Sequence, residues 1–229
     1  MSDEARRSTE LTPGVSGDAL VVLVLEDDET DRRRLIKFAR RAGLRAEFHE
    51  AQDLNGLAAN LAARRFDLIY VDYHLGLATG EEALALIFAR PEQEGAMTIM
   101  VTSVETPEIM AATIRAGCGD YLVKDRLGPG SLGRSLISSL ERLILVFSLD
   151  PGERRRDMLR QLVGRLDAAM APPLRLMTCA MLHRTLKICS DPQTPATGAR
   201  AVLEGLCLEL VAVLERASAA HLWNEEGAA

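Results

Sequence analysis

Five short strand candidates, most of them apolar runs and each separated from the next by a helical stretch, constrain this chain more than any other feature. AlaLeuValValLeuValLeu at 19–25 shows no polar alternation, as expected of a strand buried on both faces of a sheet. A helix is predicted over Glu29–Ala42, where Leu35, Ile36, Phe38 and Ala39 are opposed by arginines. A weaker strand follows at Arg45–His49, then a helix at Leu54–Arg64 and a second apolar strand at Asp67–Val71. The pattern continues with a helix at Glu81–Arg90, a strand at Thr98–Thr102, a helix at Pro107–Ala116, a strand at Tyr121–Val123 and a long helix at Ser131–Phe147. Parallel strands need crossovers long enough to hold a helix. The alternation therefore predicts an α/β domain, a five-stranded parallel sheet covered on both faces.

The pattern changes after Asp150–Pro151–Gly152. Helices are predicted near 153–170, 173–189 and 197–218, broken by Pro172–Pro173 and by the loop at 190–198. Their apolar stripes are Met158, Leu159, Leu162, Val163 and Leu166, then Leu176, Met177, Ala180 and Met181, then Val202, Leu203, Leu206, Leu210, Val213 and Leu214. Three such helices form a small all-α bundle with more apolar surface than they bury among themselves. The expected organisation is a disordered leader at 1–18, an α/β domain at 19–148 and a helical module at 149–229.

Charge and cysteine usage exclude several function classes. The net charge of −6 and an aromatic share of 4% favour neither nucleic acid nor an anionic membrane surface. Residues 151–229 carry ten basic and nine acidic residues; their basic stretch, ArgArgArg at 154–156 with Arg160 and Arg165, reads as a solvated helix face. Cys118, Cys179, Cys189 and Cys207 form no CxxC pair, so zinc and redox motifs are not indicated. No signal peptide or membrane-spanning run is apparent, and a cytoplasmic protein is expected.

In an open α/β sheet, functional groups collect beyond the carboxyl ends of the strands. The first strand here ends in Glu26–Asp27–Asp28, the next buried strand in Asp72, the fourth in Thr102–Ser103 and the fifth in Lys124. Clustered carboxylates repel, and a divalent cation relieves that cost. Mg²⁺ suits the site, since it takes one or two carboxylates and keeps positions for water and phosphate oxygens. An aspartate is a competent nucleophile toward phosphorus, and phosphoryl transfer needs its equatorial charge neutralised, which a metal ion and a lysine supply. Taken singly, Asp28 or Glu29 is a helix N-cap and a lysine after a strand is a solvated charge. The signal is the set of four strand ends, each with the required group.

These residues resemble the receiver domain of response regulators over about 20–145. LeuValLeuGluAspAsp (23–28) resembles the family's first strand and acidic pair, and PheAspLeuIleTyrValAspTyrHisLeuGly (66–76) its phosphoacceptor strand. MetValThrSer (100–103) and AlaGlyCysGlyAspTyrLeuValLysAsp (116–125) resemble its fourth and fifth strands, and Gly80 falls where a glycine opens the third helix. The resemblance implies a flavodoxin-like, doubly wound sheet of order 2-1-3-4-5. It implies phosphorylation of Asp72, Mg²⁺ held by Glu26, Asp27, Asp72 and the backbone carbonyl of His74, a phosphate-binding Lys124, a switch hydroxyl on Thr102 and a rotating aromatic at Tyr121. Gly76 stands where proline is frequent, Ser103 where alanine is, and Asp125 where a cis-linked proline commonly follows the lysine.

The expected function is that of a two-component response regulator, phosphorylated by a sensor histidine kinase or phosphotransfer protein and acting through protein–protein contacts or self-association of its C-terminal helices. No enzymatic activity is expected beyond its own phosphorylation and dephosphorylation. One alternative is a transcriptional regulator with an atypical DNA-binding fold, although no helix-turn-helix signature is present. Another is a phosphorelay intermediate using His183, in MetLeuHisArgThrLeuLys, where an exposed histidine would favour it.

Overall fold

A computed structural model of the chain describes residues 19–104, 106–149, 152–189, 200–212 and 214. The leader at 1–18, the Asp150–Pro151 boundary and the loop at 190–198 lie outside the described residues, as does the end of the last helix. The elements are β1 (Val21–Leu25), α1 (Glu29–Arg41), β2 (Glu47–Ala51), α2 (Leu54–Ala63), β3 (Leu68–Asp72), β4 (His74–Leu75), β5 (Ala78–Thr79), α3 (Gly80–Phe88), β6 (Met97–Thr102), α4 (Pro107–Arg115), β7 (Asp120–Val123), α5 (Pro129–Leu149), α6 (Glu153–Ala169) and α7 (Pro172–Cys189). Further helix covers 200–212.

The sheet is parallel throughout, with order β2-β1-β3-β6-β7. This is the expected 2-1-3-4-5 order; β4 and β5 form a separate antiparallel hairpin inserted after β3. The continuous apolar runs are explained by two-sided burial. Val22 and Val24 of β1, Leu68 and Tyr70 of β3, and Met97, Ile99 and Val101 of β6 enter one core. Their alternating neighbours Leu23, Leu25, Ile69, Val71 and Met100 enter the other, with Leu57 and Leu61 of α2 and Ala83, Leu84 and Ile87 of α3.

The first core does not stop at the sheet. It continues through α1 and α5 into Leu159, Leu162, Val163 and Leu166 of α6, Leu174, Met181 and Leu182 of α7, and Leu206, Leu210 and Leu214. The surplus apolar surface predicted for the helical module is thus covered by the α/β part. Backbone bonds reinforce the joint: Arg45 N–H donates to the Ala169 carbonyl and Ala171 N–H to the Gly43 carbonyl, both at 2.8 Å. Gly43 has φ +95°, and a Cβ there would lie 2.6 Å from the Ala171 Cβ, so only glycine permits this approach. At the same edge Arg165 reaches both carboxylate oxygens of Asp67, with its closest nitrogen at 2.6 Å.

Four local expectations are corrected. The second strand is Glu47–Ala51 rather than Arg45–His49, because Arg45 bonds to α6 and Glu47 begins the pairing with Val21. The arginines of α1 are not all on its solvent side, since Arg32 is buried. The apolar stripe proposed for α7 is rotated: Leu176, Met177 and Ala180 are exposed while Leu174, Thr178, Met181 and Leu182 face inward. α7 is apolar on nearly every side, so periodicity cannot choose its face and packing on α5 does. The arginines at 155, 160 and 165 are not simply solvated charges; each pairs with an acid, Glu94, Asp157 and Glu209, and Asp67 respectively. Among the described residues no helix is long and apolar enough to cross a membrane.

Candidate functional site

The two-sided burial of β1 ends at Leu25, and the chain then releases Glu26, Asp27 and Asp28 before α1 begins. Asp28 is the N-cap: its carboxylate accepts the Asp31 N–H at 2.8 Å, which holds its pKa below the usual carboxylate range. Glu26 and Asp27 are left for the site. β3 carries Asp72 as its last residue, registered against Val101 of β6. Ligand oxygens of Glu26, Asp27 and Asp72 all lie within 4.8 Å of one another, with Glu26 and Asp72 buried and Asp27 exposed. α3 begins at Gly80, where a Cβ would come within 2.9 Å of the Asp72 carbonyl and 2.7 Å of the Met100 sulfur. Glycine there lets the helix start tight against the strand that carries Asp72.

Lys124, at the end of β7, enters this acidic cluster. Its Nζ lies 2.7 Å from Glu26 Oε2, 3.0 Å from Asp72 Oδ2 and 3.1 Å from Asp31 Oδ2. Burial pushes the Glu26 carboxyl up to about 7, against the Lys124 hydrogen bond, and the Asp72 charge adds to the rise. Burial likewise pushes Asp72 up, against the charge and hydrogen bond of Lys124. Burial alone would lower Lys124, but the hydrogen bond to Glu26 and the charges of Asp72 and Glu26 outweigh it and raise its pKa. A single ammonium shared among three carboxylates stays charged, while the acids remain under-compensated. Arg32, buried on α1, donates to the Glu26 carbonyl at 2.8 Å and pairs with Glu50 at 2.6 Å, fixing the backbone that presents the acids.

Among the described residues the buried Asp72 Oδ1 has no hydrogen-bond partner within 3.5 Å, and the backbone N–H groups of His74 and Tyr73 offset only part of the rise that burial gives the carboxyl. A buried, unsatisfied carboxylate oxygen is costly. It is the atom in this cluster that would gain most from a cation or a phosphorus centre. The three acids offer hard oxygen donors, one of them exposed, which fits Mg²⁺ with room for water and phosphate oxygens.

Thr102 and Tyr121 are joined through one residue, Val104. Thr102 is the last residue of β6 and fully buried, and its Oγ1 accepts the Val104 N–H at 3.2 Å. Tyr121, 9% exposed, donates its hydroxyl to the Val104 carbonyl at 2.5 Å. The ring is therefore turned inward.

His74 sits on β4, paired with Thr79, with its exposed ring edge-on to Tyr73 at 5.0 Å. The turn of this hairpin is Gly76–Leu77, so glycine in place of proline accompanies a local strand pair. His183 is not part of the cluster. It is exposed on α7, and its Nδ1 lies 2.8 Å from the Cys179 carbonyl. Sequence reasoning missed Asp31, Arg32 and Arg34. The Asp28 cap was a signal for Asp31, whose N–H it accepts, whereas Arg32 and Arg34 are placed by the carbonyls of Glu26 and Lys124 and left no local signal.

The family model for the response regulator receiver domain matches residues 22–130. Hybrid signal transduction histidine kinase G of Dictyostelium discoideum is 30% identical over 112 residues, 48% of this chain. The match spans only 3% of that relative's length. Among solved structures, chemotaxis response regulator CheY4 of Vibrio cholerae is 24% identical, with 53% of this chain and 98% of that one covered and a TM-score of 0.47. The receiver domain of sensor histidine kinase PA1611 from Pseudomonas aeruginosa PAO1, described with a magnesium ion coordinated in its active-site cleft, is 22% identical over 52% of this chain and 94% of that one, TM-score 0.46.

Proposed function

Because residues 22–130 are a response regulator receiver domain, we propose that this chain accepts a phosphoryl group on Asp72 and uses it to change the contacts of its C-terminal helices. The observation that carries the reading is Asp72 Oδ1, buried and, among the described residues, without a hydrogen-bond partner at the end of the central strand, in a carboxylate whose oxygens cluster with those of Glu26 and Asp27. Glu26, Asp27, Asp72 and the His74 carbonyl would hold Mg²⁺, which when bound supplies positive charge to the phosphoryl oxygens. The chain's own part is to present Oδ1 as the nucleophile and to bring the Lys124 ammonium to the transferred group. Thr102 would bond a phosphoryl oxygen and pass its displacement to Tyr121 through Val104. The donor would be a sensor histidine kinase or a phosphotransfer protein, the setting cytoplasmic, and the chemistry limited to the protein's own phosphorylation and dephosphorylation.

The metal assignment is tested on Asp27. Asp27 is exposed, so Asp27→Ala should leave the fold intact, yet it should weaken Mg²⁺ by at least roughly tenfold, the lower end of losses caused by groups outside a ligand set. Titration calorimetry of wild type and variant measures this, and equal affinities would remove Asp27 from the site. Affinity should also depend on pH. With Glu26 pushed up to about 7, a proton must leave before its carboxylate binds the ion, so affinity rises with pH up to about 7 and is level above. A flat profile through that range would show that no proton leaves Glu26 when the ion binds.

A second reading concerns His183. A carbonyl only accepts, so Nδ1 of His183 carries the proton donated to Cys179, and in the neutral ring Nε2 keeps its lone pair. That geometry favours a phosphorelay role more than the sequence did. Nothing in the ion-pair pattern of the basic stretch favours DNA, since its arginines at 155, 160 and 165 are engaged with acids of the same chain.

A further inference from the structure

We propose that Arg34 and Asp31 of α1 are positioning residues for Lys124, gripping it at backbone and side chain, an inference that rests on the phosphoacceptor reading of Asp72. The lysine lies at the start of a short 3-10 turn, Lys124–Arg126, and is followed by Asp125 rather than a ring-constrained proline. A lysine reaching phosphate from a loose turn would lose much of its value, because misplacement of about 1 Å in a reacting group costs up to about a hundredfold in rate.

α1 supplies what that turn lacks. Arg34 Nη2 donates to the Lys124 carbonyl at 2.9 Å, across 90 residues of sequence. The same carbonyl accepts the Leu127 N–H at 3.2 Å, closing the turn. Asp31, one helical turn earlier, accepts from Lys124 Nζ at 3.1 Å and lies 3.5 Å from Arg34 Nη1. The two α1 residues thus hold each other as well as the two ends of the lysine. Their helix is itself fixed to the acids, since Asp28 caps it and Arg32 donates to the Glu26 carbonyl. The acids that would hold the metal and the lysine that would meet the phosphoryl group are registered through one rigid element. Asp31 is 29% exposed in its side chain and is not a member of the three-acid cluster, so its part is to direct the ammonium rather than to ligate the metal.

The test uses the full chain and four forms: wild type, Arg34→Met, Arg34→Lys and Asp31→Asn. Phosphorylation by acetyl phosphate is followed at saturating Mg²⁺, with Mg²⁺ affinity and melting temperature measured alongside. Arg34→Met keeps the apolar stem and removes the donors; its phosphorylation rate should fall about tenfold, between none and the limit set by a full ångström of misplacement. Its Mg²⁺ affinity should stay within about twofold, because none of the three acids is touched. Arg34→Lys restores one donor and should recover part of the rate, and Asp31→Asn should show the same selective loss in smaller measure. A rate unchanged in both Arg34→Met and Asp31→Asn overturns the proposal. So does a loss of rate matched by equal losses of Mg²⁺ affinity and melting temperature without rescue by lysine, which is the pattern of a general structural role. Wild-type protein that takes no label on Asp72 overturns the phosphoacceptor reading and this inference with it; normal wild-type labelling with indifferent variants overturns the positioning role alone.

Discussion

Incubated with acetyl phosphate and Mg²⁺, the protein should gain a phosphoryl group on Asp72, and the Asp72→Asn variant should gain none there. The loss should be complete because the substitution replaces the nucleophilic carboxylate with an amide, whose oxygen is a poor nucleophile toward phosphorus and whose nitrogen has no lone pair to offer. In the wild type, an Asp72 oxygen bonds to phosphorus while the donor's acyl oxygen leaves with the electron pair. The new acyl phosphate then faces the Lys124 ammonium, 3.0 Å from the carboxylate before transfer. The variant should remain folded. It removes one of two buried carboxylates whose pKa values are both raised by burial, so its melting temperature should hold or rise. Intact mass and peptide mapping give the site, and lability separates the chemistries, since an acyl phosphate is cleaved by hydroxylamine and a phosphohistidine by acid. Label at its normal level on the β3 peptide of the Asp72→Asn protein would remove Asp72 from the reading. Acid-labile label mapped to His183 in either protein would instead promote the phosphorelay reading.

Leu162→Ala should destabilise the whole molecule rather than its C-terminal helices alone. Leu162 is 3% exposed in α6 and belongs to the core cluster that contains Val22, Val24, Tyr70 and Ile99 of the sheet. Truncating a buried leucine costs about 2–5 kcal/mol, the transfer term plus the cavity it leaves. For a chain of this size that corresponds to a fall in melting temperature of roughly 4–20 °C. The distinctive expectation is where protection is lost. With a continuous core, amides of β1 and β3 should exchange faster together with those of α6 and α7, and melting should stay a single transition. Two transitions, with β1 and β3 protection untouched, would show that the helices form an independent bundle that only rests on the sheet. The prediction bears on output: a module sharing a core with α5 is placed to feel any strain that phosphorylation sends along that helix.

The alternation of apolar runs and helical spacing was sufficient to read the sheet, its parallel pairing and the strand ends carrying Glu26, Asp27, Asp72, Thr102 and Lys124. These features are local in the chain. A continuous run such as Val21–Leu25 is tolerable only where both faces are covered, and a parallel sheet puts every such strand's carboxyl end on one edge. The cap role of Asp28 was legible for the same reason, because the residue and the N–H it satisfies are three positions apart.

What the sequence left undecided depends on partners distant in the chain. Arg32, Arg33 and Arg34 are identical in type and adjacent, yet one is buried against Glu26, one is exposed and one reaches the Lys124 carbonyl. Only the folded arrangement distinguishes them, with Arg32 set against the end of β1 and β2 and Arg34 against the turn that carries Lys124. The face of α7 was equally undetermined, since a helix apolar on most sides takes its orientation from what it packs against. The inward position of Tyr121 is set by the Val104 carbonyl, seventeen residues away on another strand's exit loop. Local hydrophobic periodicity fixes which segments become strands and helices, because burial on a given face repeats with the period of the element. The pairing of individual polar groups is fixed only when the folded chain brings them within hydrogen-bond distance, because those interactions fall off over a few ångströms and leave no period to read.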